Sequence, residues 1–236
     1  MGFLLLSACG AGGAETSGAT PGAADEERWM TARKEMVSRQ IEARGVGDPR
    51  VLEAMRTVPR HRFVAPELKS RAYTDYPLPI GLGQTISQPY IVAAMTELLR
   101  PEPSDRVLEV GTGSGYQAAV LSRLVAHVYT IEILPDLAKR AAEILAELGY
   151  DNVSVSTGDG YRGIPSEAPF DGIIVTAAPA EIPRPLIDQL AIGGRLVIPV
   201  GRFYQELMLL EKNEQGVESR SIFPVRFVPM TGEAQR

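Results

Sequence analysis

The sequence predicts an α/β fold of three layers: a mostly parallel sheet between helices, with an N-terminal helical elaboration and a C-terminal antiparallel hairpin. Three observations carry this. From Tyr90 onward, short apolar runs alternate with helical periodicity, and strand–helix alternation builds a parallel sheet with right-handed crossovers. The run Arg106 to Val110 ends in Gly111-Thr112-Gly113-Ser114-Gly115, a turn where residues without a Cβ let the backbone bend sharply and approach a ligand. Near the end, Gln205 to Glu211 and Val217 to Val228 are strand-like and joined by Asn213-Glu214-Gln215-Gly216, a hairpin signal.

The elements follow in order. Asp25 to Arg44 is helical in pattern, with Trp29, Met36, Val37 and Ile41 as its buried stripe, and Gly45 and Gly47 end it. Asp48-Pro49 supplies an N-cap and first-turn proline for a helix carrying Val51, Leu52, Met55 and Val58, closed by Pro59. His61 to Tyr76 reads as short mixed elements, and Pro77 to Pro89 as a loop rich in Gly and Pro. Then come a helix (Tyr90 to Leu99), a strand (Arg106 to Val110), a helix (Tyr116 to Val125) and a strand (Val128 to Glu132). A helix from Pro135 to Leu148, stopped by Gly149, leads to the strand Val153 to Ser156. Strand Phe170 to Val175, helix Ile182 to Leu190 and strand Gly194 to Val200 complete the alternation. Residues 25–236 are expected to form one domain, with 1–24 as a leader or tether.

Composition narrows the function. A net charge of −5 and a pI near 5.2 argue against sequence-independent nucleic-acid binding, which needs a basic surface. One cysteine permits no intrachain disulfide, no Cys/His cluster has metal-ligand spacing, and no apolar run reaches the ~20 residues of a membrane span.

The glycine turn carries the chemistry. Its spacing is G-x-G-x-G, with Glu109 two residues before Gly111, whereas a dinucleotide fingerprint is G-x-G-x-x-G. An acid at that position can meet an amino group, which suits the methionine end of S-adenosylmethionine (SAM) better than a pyrophosphate. Free N–H groups where the helix starts are expected to face the ligand. Glu132 ends the next strand about 20 residues on, where a carboxylate binds ribose hydroxyls. A turn that merely tightens strand-to-helix packing and an NAD-dependent oxidoreductase are the competing readings. Ligands in such sheets gather beyond the carboxyl ends of the strands, which adds Asp159-Gly160 and Thr176. Asp159 can accept from an adenine amino group or can stabilise its own turn.

The second segment is Gly83-Gln84-Thr85-Ile86-Ser87-Gln88-Pro89. Two hydroxyls beside a helix start suit a carboxylate. Spacing alone favours a simpler role for Ser87, capping the helix at Pro89.

These residues resemble a family. Leu78 to Thr96, Val107 to Leu121, Phe170 to Pro179, Gly193 to Gly201 and Val225 to Pro229 are similar to bacterial protein-L-isoaspartate O-methyltransferases, over about Met36 to Gly232. The resemblance implies a SAM-dependent methyltransferase (Rossmann-like) fold. It further implies methyl transfer to the α-carboxylate of L-isoaspartyl residues in damaged proteins and peptides, and repair through a succinimide. It puts Ser87 in the active site, with Gln84, Thr85 and Gln88 on the substrate side. Glu109, Gly111, Thr112, Gly113, Ser114, Gly115, Glu132, Asp159, Gly160 and Thr176 then hold SAM, and no metal is involved. His61 and His127 are expected to be structural. A methyltransferase of a small-molecule acceptor and a silent SAM-binding module are the alternatives.

A monomer in the cytoplasm, where SAM is made, is expected. Against that, Leu6-Ser7-Ala8-Cys9 resembles a lipobox, which would make the chain an exported lipoprotein anchored through Cys9. The apolar stretch before it is shorter than a signal peptide requires.

Overall fold

The computed structural model describes residues 21–235, so the lipobox-like segment and Cys9 lie outside the described residues. The first helix, α1 (Pro21–Met36), starts ahead of the expected Asp25 and passes into a π turn (Val37–Ile41) and a 3₁₀ turn (Glu42–Arg44). Met36, Val37 and Ile41 are buried and Trp29 partly so. In α2 (Pro49–Thr57) the Asp48 side chain accepts from the Arg50 N–H. Val51, Leu52, Met55 and Val58 of this stretch are all in the core.

The stretch expected to be a loop is a hairpin: β1 (Leu78–Gly81) pairs antiparallel with β2 (Gln84–Ile86). Pro79, Gly81 and Gly83 are poor strand formers, which hides it in composition. Leu78 and Ile86 hold it by packing into the core.

Seven strands form the main sheet: β3 (Arg106–Val110), β4 (His127–Glu132), β5 (Val153–Thr157), β6 (Phe170–Val175), β7 (Leu190–Val200), β8 (Gln205–Asn213) and β9 (Gly216–Val225). The order is β5-β4-β3-β6-β7-β8-β9, parallel through β7 and antiparallel for the last two. Side chains alternate between faces. Val107, Ile174, Val197 and Leu209 join one core, and their neighbours Leu108, Ile173, Leu196 and Leu210 join another. The first core is covered by α2, by α3 (Pro89–Leu99), by α4 (Tyr116–Ser122) and by Leu145 of α5 (Pro135–Glu147); the second by Leu186 of α6 (Arg184–Asp188).

Of the bounds that differ from expectation, three bear on the site. α4 stops at Ser122 rather than Val125 because Asn152 Nδ2 takes the freed carbonyls of Ser122 (3.0 Å) and Val125 (3.2 Å). α6 is shorter because Pro183 disfavours helical backbone at Ile182 before it, and Leu190 already pairs with Phe170. β9 ends at Val225, after which the chain leaves the sheet and crosses to Ala178. Among the described residues, no helix is long and apolar enough to cross a membrane, and no acid, His or Cys cluster could hold a metal.

Candidate active site

Strand alternation sends Glu109 to the helix-rich face, and the β3–β4 register places it opposite Thr130. The Thr130 hydroxyl therefore donates to Glu109 Oε2 at 2.6 Å, with Thr112 Oγ1 a further 2.6 Å beyond. Glu109 is fully buried and its Oε1 has no partner. Burial pushes its pKa up to about 8, against a smaller lowering by the Thr130 hydroxyl; the neighbouring Glu132 adds to the rise. An isolated buried carboxylate neutralises rather than stay charged. The folded chain therefore binds this proton more tightly than the unfolded one. Glu109 costs stability as pH rises from its ordinary 4.5 to about 8, and a cation beside Oε1 would relieve that cost.

Glu132 is buried at the end of β4. Its Oε2 accepts from the Gly113 N–H at 2.8 Å and its Oε1 from the Leu134 N–H at 3.1 Å. It thereby fixes the glycine turn, and each oxygen keeps a lone pair for a ligand hydroxyl. The N–H groups of the turn's own glycines are used within the protein, and at the helix start the Tyr116 N–H donates to Ser114 Oγ at 3.3 Å. Gly111 donates to Ile131 O at 2.9 Å, Gly115 to Thr112 O at 2.8 Å and Gly113 to Glu132. The turn needs glycine at 111, where φ is +96° and a Cβ would stand 2.4 Å from Thr176 Oγ1. That hydroxyl donates to Gly111 O at 2.6 Å, locking the end of β6 to the turn.

Two contiguous clefts open over these strand ends. The first is lined by Gln84, Thr85, Ser87, Glu109, Gly111, Thr112, Gly113, Ser114, Glu132, Gly160 and Thr176. The second, of about 1110 Å³, shares Thr85, Ser87 and Thr176 and adds Gln88, Arg44, Tyr90 and Arg226. Ser87 is therefore at their junction. Its expected helix cap is not formed: the N-cap of α3 is Gln88, with no side-chain cap bond. Two other candidates stand outside the walls. Gly115 caps α4 from behind the turn, against Leu145. Asp159 has the turn geometry, Oδ1 accepting from Tyr161 N–H (3.0 Å) and Oδ2 from Glu233 N–H (2.8 Å). What it holds in place is Gly160, which does line the cleft.

Sequence reading missed the C-terminal wall. Val228, Pro229, Met230 and Thr231 line the first cleft, held there because Ala178 N–H donates to Val228 O and Met230 N–H to Ala178 O, both at 2.8 Å. Two signals in the sequence point to it: Pro229, which cannot donate to a sheet ladder, and the resemblance carried by Val225 to Pro229. His61 and His127 line neither cleft. His61 stacks on Trp29 and its Nδ1 lies 2.8 Å from the Tyr73 hydroxyl; His127 Nε2 lies 2.9 Å from Ser154 Oγ.

The clefts differ in charge. The first has Glu109 and Glu132 and no cationic side chain. The second has Arg44 and Arg226 and no carboxylate in its lining. Arg44 is held by Asp75 at 2.8 Å and lies over the Tyr90 ring at 3.5 Å.

Comparison with known proteins agrees with this fold. The family model described as protein-L-isoaspartate(D-aspartate) O-methyltransferase (PCMT) matches residues 31–235. A protein named protein-L-isoaspartate O-methyltransferase 2 from Syntrophobacter fumaroxidans is 55% identical, over 97% of this chain and 95% of its own length. One named protein-L-isoaspartate O-methyltransferase from Gloeobacter violaceus is 58% identical, over 84% of this chain and 98% of its own. A solved Plasmodium falciparum structure, described as a beta-aspartate methyltransferase (PCMT) in complex with S-adenosyl-L-homocysteine, superposes with a TM-score of 0.73 at 27% identity. It covers 84% of this chain and 98% of its own. With the fold, the cleft and these matches in agreement, the chain belongs to the protein-L-isoaspartate(D-aspartate) O-methyltransferase family.

Proposed function

We propose that the first cleft holds SAM, that the second admits the isoaspartyl segment of a damaged protein, and that the two meet at Ser87. The chain is a SAM-dependent enzyme that methylates L-isoaspartyl residues. The observation that carries the residue assignments is the different polar chemistry of two contiguous clefts, acidic side chains without cations in one and arginines without acids in the other.

SAM fits the first cleft's residues. Glu109 Oε1, buried and unpartnered, matches a ligand ammonium, and Glu132 with its spare lone pairs matches ribose hydroxyls. Gly111, Thr112, Gly113 and Ser114 form the wall between them. Gly160, held by Asp159, and Thr176 line the remaining side, where the adenine would lie. When bound, SAM supplies a methyl group on an electrophilic sulfonium. What remains for the protein is positioning. A carboxylic acid has a reference pKa near ~4 and is ionised at neutral pH, so no strong base is needed. Thr85 and Ser87 offer hydroxyl donors to the isoaspartyl α-carboxylate, with Gln84 and Gln88 beside them, and the arginines favour its charge. Orientation and exclusion of water supply the rate. The product is a methyl ester; the following backbone nitrogen then closes on it, expelling methanol and leaving a succinimide that water opens to aspartyl or isoaspartyl.

Residues 25–89 thus supply the N-terminal helices and substrate loop and 90–236 the SAM-binding core of one domain, with Tyr90, Arg226 and Phe227 of the core also lining the substrate cleft. Cytoplasmic supply of SAM supports a cytoplasmic enzyme, and the acidic net charge supports protein rather than nucleic acid as its partner.

Two measurements check this reading. With labelled SAM and matched peptides, label should pass to the L-isoaspartyl peptide and not to its aspartyl twin. Equal labelling of both, or labelling of neither with SAM still bound, would contradict it. At pH 7, below the value of about 8 for Glu109, a bound ammonium should drive off the Glu109 proton. Calorimetry in buffers of different ionisation enthalpy should then find close to one proton released per SAM, and none for Glu109→Gln. Equal release by both proteins would place the ammonium elsewhere.

A further inference from the structure

Two large apolar side chains stand almost wholly in solvent, Phe203 at 95% and Tyr204 at 94% exposure. They occupy the turn joining β7 to β8, which is tied to neighbouring chain at its two ends. Gly201 N–H donates to Pro179 O at 2.9 Å. Gly201 has φ +127°, and a Cβ there would stand 2.0 Å from Tyr204 O, so only glycine closes this turn. The turn is also tied to the wall of the second cleft. Phe227 N–H donates to Gln205 Oε1 at 2.6 Å and Gln205 Nε2 donates to Phe227 O at 3.2 Å, and Phe227 lines that cleft.

We propose that Phe203 and Tyr204 grip the substrate polypeptide beside the damaged residue, at an apolar side chain two or three positions away. This rests on the reading of the second cleft given above. An isoaspartyl residue inside a chain cannot enter that cleft without its neighbours crossing the rim. The rim is aromatic where they would cross: Tyr90 and Phe223, with rings 6.2 Å apart, then Phe227, and beyond it the exposed pair. Strand order sets the reach. Thr176 lies just past β6, and the β7–β8 turn is one to two strand spacings away, about 5–10 Å. An extended chain covers that in two or three residues at ~3.3 Å each. Exposed aromatics are effective anchors because each ring offers a large area for contact with a partner.

The test uses the double variant Phe203→Ser/Tyr204→Ser, which should fold normally because both side chains are in solvent; thermal melting checks this. Two sets of isoaspartyl peptides are compared, one with leucine and one with glycine two and three residues away on each side. The wild type should prefer the leucine set. In the variant, KM for the leucine set should rise about fivefold or more, toward that of the glycine set. KM for SAM and for the glycine set should stay unchanged. An unchanged KM for the leucine set, an equal rise for both, or a concentration-dependent dimer lost in the variant would overturn the proposal. Failure of the wild type to methylate either set would instead refute the reading of the cleft, and this proposal with it.

Discussion

Glu132→Ala is expected to weaken SAM binding by roughly 10- to 150-fold, the equivalent of the ~1.5–3 kcal/mol carried by a hydrogen bond to a charged group. Two losses combine. Ribose hydroxyls lose their acceptor, and the N–H groups of Gly113 and Leu134 lose theirs, so the glycine turn is no longer braced. Glu132→Gln separates the two losses: it keeps one oxygen acceptor and removes the charge, so its defect should be smaller. Isothermal calorimetry reads the affinity and thermal melting reads the fold. The sheet should survive, because its apolar residues are untouched. A Glu132→Ala protein that binds SAM as tightly as the wild type would remove Glu132 from the cofactor site.

Much of this site was legible because it is written locally. An apolar run followed by closely spaced glycines identifies a strand, a turn and a helix start, and the acids at strand ends follow from the same pattern. Glu109 and Glu132 thus reached the cleft through strand geometry alone. What sequence could not supply depends on contacts distant along the chain. The β1–β2 hairpin is paired through Leu78 and Ile86 against the core, while its own composition reads as loop. Val228 to Thr231 become a cleft wall only through their bonds to Ala178. Arg44 joins the second cleft through Asp75 and the face of Tyr90, partners 31 and 46 positions away by number. Asp159 and Gly115 show the reverse. Each sits beside a residue that lines the cleft, Gly160 and Ser114 respectively, but their own atoms serve the turns. Ser87 was misjudged on spacing because serine two residues before a helical proline commonly caps; here the backbone at Gln88 is the cap.

That correction sharpens the most direct test of the central claim, that the methyl-accepting carboxylate is held where the two clefts meet. Ser87 is half-buried, lines both clefts and carries no cap bond. Removing its hydroxyl should therefore cost little stability, without the ~1 kcal/mol that loss of a side-chain cap would bring. Its loss should be felt in turnover, because a hydroxyl bond to a charged carboxylate contributes ~1.5–3 kcal/mol, roughly 10- to 150-fold in rate when it acts in the transition state. The deciding measurement is steady-state methylation of an isoaspartyl peptide by Ser87→Ala, with SAM affinity and melting temperature measured on the same preparation. The account predicts a large fall in kcat/KM for peptide, with SAM affinity and melting temperature near those of the wild type. Normal turnover, or a fall in turnover that only follows lost stability or lost SAM binding, would contradict it.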